Sequence, residues 1–99
     1  MKAYYSKLHA PRADFAQTMT PREIKLMQEH GAYLRGYANR GWAVAFGPVA
    51  DSQGHFGVGL WETPDEVDVA AILAEDPVIK SGTGFRYELH PMPGLVTRG

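Results

Sequence analysis

The chain has 99 residues, no cysteine and a net charge of −1, with 10 basic and 11 acidic side chains. This length predicts one domain over residues 1–99, with a core of about 2–91 and an irregular tail over 92–99. The lack of cysteine excludes disulfides and thiolate sites. The basic residues are dispersed rather than clustered, which argues against nucleic-acid binding. No signal peptide is evident and no apolar run approaches the roughly 20 residues of a membrane span, so we expect a cytoplasmic protein without membrane association.

The first predicted elements are a strand and a long helix. Apolar and polar residues mix over 2–9 in a pattern typical of a strand. The helix begins after Thr20, where T-P-R-E predicts a capping box with proline at the first helical position. Apolar residues then recur at helical spacing as far as Gly41, which is expected to end the helix.

A β-hairpin is predicted next. Two β-like runs, 42–50 and 55–62, flank the turn-rich tetrapeptide D-S-Q-G. Bulky and small side chains alternate along both runs, so one face of the hairpin is bulky and the other is nearly bare. We expect the bulky face to pack under the helices and a second copy of the chain to cover the bare face, giving a homodimer through the sheet face. Alternatively, the glycines only relieve strand twist or mark a bulge.

The remaining elements complete a repeated pattern. A second cap-like sequence, T-P-D-E at Thr63, predicts a helix through about Ala74, and Pro77 prevents its continuation. A last strand is predicted over 85–90. The order β-α-β-β-α-β predicts an α+β, ferredoxin-like fold, in which a four-stranded antiparallel sheet carries two helices on one face.

Two polar residues are the main candidates for chemistry. His30 lies in the long helix, and Asp76 directly precedes Pro77. If the fold brings them together, the carboxylate would fix the imidazole tautomer and raise its basicity, which suits proton transfer near neutral pH. Each residue also has a structural interpretation. His30 shares a helical stripe with Leu26 and Tyr33 and would be a packing residue, and an aspartate before proline suits the end of a helix.

A second group of candidates is basic. If Leu8 faces the helices, His9 and Arg86 face the predicted bare side of the sheet. Together with Arg12, these side chains would form a rim that holds a carboxylate or a phenolate. The alternative is an ion pair between Arg86 and Glu88, or a pair across a dimer interface.

Residue spacing predicts neither a metal site nor a bound cofactor. No histidines stand in an H-x-x-x-H or H-E-x-x-H pattern, and the acidic residues show no ligand spacing. The glycine-rich sequence G-H-F-G-V-G lies within a strand rather than before a helix, so it does not predict a phosphate-binding loop. No serine lies in a nucleophile elbow, which argues against covalent hydrolysis.

Four short motifs stand in order along the chain: H-G-A-Y-L from His30, G-W-A-V-A-F-G-P from Gly41, D-P at Asp76 and G-F-R-Y-E-L-H-P from Gly84. Their order and spacing resemble the YCII-related (YciI-like) family of small dimeric α+β-barrel proteins. The resemblance implies a ferredoxin-like protomer, a dimer and an active site that uses His30 and Asp76. It also implies that Gly47 and Pro48 shape the nearby strand end. Val78 replaces the aromatic residue that often follows D-P in the family, which implies a pocket of different shape.

The leading hypothesis is a cofactor-free enzyme in which His30 and Asp76 catalyse elimination, isomerisation or hydration of a small organic substrate, aromatic-derived compounds included. The predicted substrate-binding residues are His9, Arg12, Tyr33, Gly47, Pro48 and Arg86. The helix with His30 and the bare sheet face are expected on opposite sides, which favours a site at the helix edge near Tyr33 and Pro48. The alternatives are a non-catalytic ligand-binding or dimerisation module, and an accessory subunit that docks a partner through its sheet face.

Overall fold

The structure, a computed structural model, describes residues 1–98. In chain order its elements are β1 (Lys2–His9), α1 (Phe15–Thr18), α2 (Pro21–Asn39), β2 (Ala43–Val49), β3 (Phe56–Thr63), α3 (Val69–Ala74), α4 (Pro77–Lys80) and β4 (Arg86–Met92). The strands form one antiparallel sheet in the order β2-β3-β1-β4. This is the ferredoxin-like α+β fold that the order of predicted elements indicated.

The start of α2 follows from its local sequence. The hydroxyl of Thr20 accepts from the backbone N–H of Glu23 at 3.2 Å, and the Glu23 carboxylate accepts from the backbone N–H of Thr20 at 2.9 Å. The predicted capping box is therefore confirmed, with Pro21 as the first helical residue. The helix ends at Asn39, and Gly41 follows it with a φ of 88°, a conformation that favours glycine.

The helix start predicted at Thr63 is wrong. Thr63 is the last residue of β3, where it pairs with Lys2 of β1 and is fully buried. Asp68 caps α3 instead, since its carboxylate accepts from the backbone N–H of Ala71 at 3.2 Å. Strand pairing and burial at Thr63 therefore override the local T-P-D-E pattern.

The core lies between the helices and one face of the sheet. One cluster consists of Leu34, Ala43, Trp61, Val69 and Leu73, and the other of Leu8, Phe15, Val78 and Phe85. Trp61 pairs with Tyr4, which lies on the same side of β1 as Leu8, so both clusters share one face. Within residues 1–98, the other face carries no helix.

The glycine face of β3 points toward the helices, which contradicts the predicted orientation of the hairpin. Gly57 pairs with Leu8 and Gly59 with Ser6, both on the helix side of β1. The bulky residues that point the other way are Phe56, Val58 and Leu60. The reason is Trp61, which is only 1% exposed and donates through Nε1 to the Ser6 hydroxyl at 3.0 Å. Because side chains alternate along a strand, burying Trp61 turns Gly57 and Gly59 inward with it.

The neighbouring strand β2 keeps a bulky residue on the helix side. Its register with β3 shifts between Ala43 and Ala45, so Ala43 pairs with Trp61 and Phe46 pairs with Gly59. Ala43 and Phe46 therefore both face the helices, although they are three positions apart and would lie on opposite faces of a regular strand. This is the effect of a β-bulge.

The end of the chain departs slightly from the sequence prediction. β4 continues to Met92, and no helix or strand follows it as far as Arg98. Gly99, the last residue of the predicted tail, lies outside the described residues. No helix within residues 1–98 is both long enough and apolar enough to cross a membrane.

Candidate functional site

The fold brings His30 and Asp76 into contact. Nδ1 of His30, on α2, lies 2.7 Å from Oδ2 of Asp76, at the junction of α3 and α4. The Asp76 side chain is 0% exposed and that of His30 is 12% exposed. When the imidazole is neutral, the carboxylate holds its proton on Nδ1 and leaves the lone pair on Nε2. Within residues 1–98, Nε2 has no hydrogen-bond partner, so it is available to a small molecule.

Local sequence explains how Asp76 is positioned. Pro77 cannot continue α3, and it becomes the first residue of the short helix α4. Oδ1 of Asp76 caps this helix by accepting from the backbone N–H of Val78 at 3.1 Å. The other carboxylate oxygen remains free to meet His30. The structural and chemical interpretations of Asp76 are therefore compatible, because each uses a different oxygen.

Tyr87 is a third member of the site that the sequence did not single out. Its hydroxyl donates to Oδ2 of Asp76 at 2.7 Å, the same oxygen that His30 contacts. Burial, followed by the charge and hydrogen bond of Asp76, raises the pKa of Tyr87 above its ordinary value. The hydroxyl therefore stays protonated and acts as a donor. The alternation along β4 predicted that Tyr87 faces the helices, but nothing local indicated its partner.

These contacts explain how the carboxylate of Asp76 can be buried. Asp76 accepts hydrogen bonds from the Val78 backbone and from the Tyr87 hydroxyl, and it faces Nδ1 of His30. Burying a carboxylate is costly unless donors replace its hydration. The three groups provide that replacement and hold the carboxylate in one orientation.

A cavity of about 450 Å³ lies between α2 and the sheet, and both His30 and Tyr87 line it. It lies on the helix side of the sheet, the same side as His30. The sequence predicted that His30 and the bare face of the hairpin lie on opposite sides of the sheet. In the structure they share one side, because Gly57 and Gly59 of that bare face form the floor of this cavity.

Glycines on two facing layers leave this space open. Gly31 lines the cavity from α2, and Gly57 and Gly59 line it from β3. A Cβ atom added at Gly31 would meet no atom within 4 Å. At Gly59 a Cβ atom would approach the Ser6 hydroxyl oxygen to 2.5 Å, so this glycine is required for the close packing beneath the cavity.

The rest of the cavity lining is mainly apolar. It includes Leu8, Phe15, Met19, Met27, Leu34 and Phe46. Among the described residues that line the cavity, none is Lys, Arg, Asp or Glu. His55, beside the hairpin turn, is half-buried and also lines the cavity. It shares the helix-facing side of the chain with Gly57, two positions further along.

Three predicted site residues differ in their relation to the cavity. Gly47 and Pro48 both line it. Tyr33 does not, and its hydroxyl donates to the carbonyl of Ile72 at 2.7 Å, which ties α2 to α3. Burial, followed by the neighbouring Tyr37, raises the pKa of Tyr33 above its ordinary value. Tyr33 is therefore a donor between helices in this arrangement.

The predicted basic rim is not assembled at the cavity. His9 and Arg86 pair across β1 and β4 on the helix-free side of the sheet. Nε2 of His9 contacts the Glu88 carboxylate, and this hydrogen bond, with a second from His90 at 3.2 Å, lowers the pKa of Glu88. Glu88 thus pairs with histidines rather than with Arg86. No group of three or more His, Cys, Asp or Glu side chains within residues 1–98 is arranged to hold a metal ion.

Arg12, the remaining member of that predicted rim, is also engaged elsewhere. Its guanidinium donates to both carboxylate oxygens of Glu23, at 2.9 and 2.8 Å, and to Thr18. These bonds tie the segment around α1 to the first turn of α2. Arg12 is absent from the residues that line the cavity among those described.

The family assignment follows from comparison with known proteins. Residues 4–93 match the model of the YCII-related domain. The matched range covers all four strands almost completely and contains both His30 and Asp76. The chain therefore belongs to the YCII-related family, in agreement with the order of its short motifs. A search of curated proteins found no match to this chain.

Proposed function

We propose that this protein is an acid–base catalyst that needs no cofactor and acts on a small organic substrate. In this proposal His30 transfers the proton and Asp76 orients His30. The observation that carries the proposal is the 2.7 Å contact between Nδ1 and Oδ2 at the wall of a 450 Å³ cavity. A histidine held by a carboxylate, with its second nitrogen unpaired beside a cavity, has the arrangement of a general base.

The proposed chemistry begins with proton removal. Nε2 of His30 takes a proton from a carbon next to a carbonyl or similar group, and the electron pair of the C–H bond moves into the substrate. The resulting imidazolium is stabilised by Asp76, whose position Tyr87 and the α4 backbone hold. Return of the proton to another carbon gives isomerisation. Loss of a leaving group from the adjacent carbon gives elimination, and the reverse reaction with water gives hydration.

Hydrogen–deuterium exchange tests this proposal without knowledge of the natural substrate. A panel of cyclic ketones and lactones, half of them carrying a carboxylate, is incubated in D₂O with the full chain, and exchange is followed by NMR. We expect exchange at the carbon next to the carbonyl for some of the panel. His30→Gln should reduce it by about 10²-fold or more, the contribution typical of a general base. Glu29→Gln, an exposed neighbour on α2, is the matched control. Exchange that is unchanged in His30→Gln would rule out this role.

A non-catalytic ligand-binding function is the second candidate. It is supported by the mainly apolar lining of the cavity, which suits the uptake of a small molecule whether or not it reacts. Binding of panel compounds without any exchange would favour this function over catalysis.

We also infer that a second copy of the chain covers the helix-free face of the sheet. Phe56, Val58 and Leu60 lie on that face, with both acidic and basic side chains nearby on β1 and β4. A two-fold axis would bury the apolar residues and place opposite charges together. Sedimentation equilibrium should give a dimer, and Leu60→Lys should shift it toward monomer. A wild-type monomer at micromolar concentration would contradict this inference.

A further inference from the structure

We propose that the cavity selects a flat, uncharged ring with a hydrogen-bonding substituent directed at His30, and that Gly31 determines this selectivity. The inference rests on the proposed function in one respect, because both take this cavity as the site where the ligand binds. It concerns the charge and thickness of the ligand, which the His30–Asp76 contact does not specify.

The charges around the cavity disfavour an anionic ligand. Among the described lining residues there is no Lys or Arg, and Arg12, His9 and Arg86 are engaged or placed elsewhere. The buried carboxylate of Asp76 lies behind the His30 ring. Together the pair is negative when the imidazole is neutral and has no net charge when it is protonated. A carboxylate entering this mainly apolar cavity would lose its hydration without a permanent cation to compensate, since the basic side chains among the described lining residues are the imidazoles of His30 and His55.

The shape of the cavity favours a thin ligand. Gly31 on α2 and Gly57 and Gly59 on β3 line the same space from opposite layers, and none contributes a side chain. The added Cβ at Gly31 would project into open space, with no atom within 4 Å. Most of the surrounding residues are aliphatic or aromatic. Because these three glycines add no side chain to the space between the two layers, a planar ring should fit there with less displacement of the lining than a thicker, puckered ring.

The polar groups favour a ligand with a hydrogen-bonding substituent directed at His30. The Ser6 hydroxyl lines the cavity but already accepts from Trp61 at 3.0 Å and faces the Gly59 carbonyl at 3.5 Å. The Tyr87 hydroxyl is committed to Asp76. Two polar groups of the lining have no hydrogen-bond partner among the described residues, the His55 ring and Nε2 of His30, and Nε2 is the acceptor that a ligand hydroxyl or an acidic C–H would meet.

Three matched probes test charge and thickness separately. They are 4-methylbenzyl alcohol, 4-methylbenzoate and (4-methylcyclohexyl)methanol, titrated into the full chain at pH 8 and followed by protein NMR shifts. The first two share a flat ring and differ in charge, and the first and third share a hydroxyl and differ in ring thickness. We expect the benzyl alcohol to bind at least about tenfold more tightly than either of the others, about 1.4 kcal/mol. Equal or tighter binding of the benzoate or of the cyclohexyl compound would overturn the proposal.

Substitution at Gly31 tests the location. Gly31→Leu adds a side chain at a helical position that faces open space, so the helix should gain stability while the cavity fills. We expect binding of 4-methylbenzyl alcohol to fall by at least about tenfold while the Tm does not fall. Gly36→Ala, at an exposed position of the same helix where a Cβ also meets nothing within 4 Å, should leave binding unchanged. A Gly31→Leu protein that stays folded and binds normally would overturn the proposal.

The two proposals fail in distinguishable ways. Selective binding of the flat alcohol with no deuterium exchange in any panel compound would reject catalysis and support the inferred ligand class. Exchange confined to compounds that carry a carboxylate would support catalysis and reject an uncharged ligand.

Discussion

His30 and Asp76 are 46 positions apart in the sequence, and their Nδ1 and Oδ2 atoms lie 2.7 Å apart in the fold. The contact joins the middle of α2 to the junction between α3 and α4. The same carboxylate caps α4 through its other oxygen, so the local structure of the chain sets the direction in which Oδ2 points. A residue whose placement is explained by helix capping is therefore also the one that orients the histidine.

Replacing the carboxylate tests this orientation. In Asp76→Asn, the side-chain oxygen can still accept from the Val78 backbone, but the amide NH₂ then faces His30 and Tyr87. The imidazole would accept from this amide at Nδ1 and carry its own proton on Nε2, which removes the base. We expect proton exchange to fall by about 10²-fold or more, and the free energy of unfolding to fall by about 1–3 kcal/mol because the Tyr87 donor loses its acceptor.

The control for this variant is Asp68→Asn at the cap of α3. Asparagine caps helices about as well as aspartate, so stability and exchange should both remain close to wild type. Stability is measured by urea unfolding, monitored by tryptophan fluorescence, and deuterium exchange is measured by NMR. An Asp76→Asn protein with wild-type exchange would show that the carboxylate does not orient the base.

Tyr87→Phe removes one donor from Asp76 and leaves the ring in place. Since the hydroxyl donates to a charged oxygen, we expect the free energy of unfolding to fall by about 1.5–3 kcal/mol. As a positioning residue, Tyr87 should affect the exchange rate at saturating substrate more than the affinity for 4-methylbenzyl alcohol. Tyr33→Phe removes a similar hydroxyl that donates to the Ile72 carbonyl. It should lower stability by about 0.5–1.5 kcal/mol and leave the exchange rate unchanged. Equal effects of the two variants on the rate would contradict the assigned role.

Gly59→Ala should destabilise the protein. The new methyl group would stand 2.5 Å from the Ser6 hydroxyl oxygen and 3.1 Å from Nε1 of Trp61, so the hydrogen bond between these side chains must give way. We expect the free energy of unfolding to fall by about 1–3 kcal/mol, the usual cost of overpacking. Gly36→Ala meets no neighbour and should stabilise α2 by about 0.5–1 kcal/mol, since alanine is the better helix former. Chemical unfolding of both variants against wild type measures the difference, and a stable Gly59→Ala would show that the strands can separate at this point.

The contact between Arg12 and Glu23 predicts a specific dependence of stability on pH. The hydrogen bond from Arg12, followed by that from the Thr20 backbone, lowers the pKa of Glu23 from its ordinary 4.5 to about 2. Because the folded-state pKa lies below the unfolded value, the stabilisation is fully present above pH 4.5 and is lost as the pH falls toward 2. The difference in free energy of unfolding between wild type and Glu23→Gln should therefore be constant above 4.5 and shrink below it. A difference that does not change over this window would show that the carboxylate is not held by Arg12 in solution.

Local sequence did not predict the short helices α1 and α4, but it did predict elements whose stabilising contacts are also local. The capping box at Thr20 is one example, because all of its donors and acceptors lie within four residues. The T-P-D-E sequence at Thr63 was misleading for the same reason. Its outcome depends on pairing with Lys2, which lies at the other end of the chain and leaves no trace in the local pattern.

Residue patterns alone predicted the order of the four strands and two main helices and the helix start at Thr20, and they made His30 and Asp76 the candidates for proton transfer. The three-dimensional fold shows that these two meet, that Tyr87 joins them, and that Arg12 and His9 do not. It also decided which face of β3 is covered, since alternation along a strand shows that two faces differ but not which one packs inward. Burial of Trp61 settles that choice, and the cavity beside His30 is its consequence.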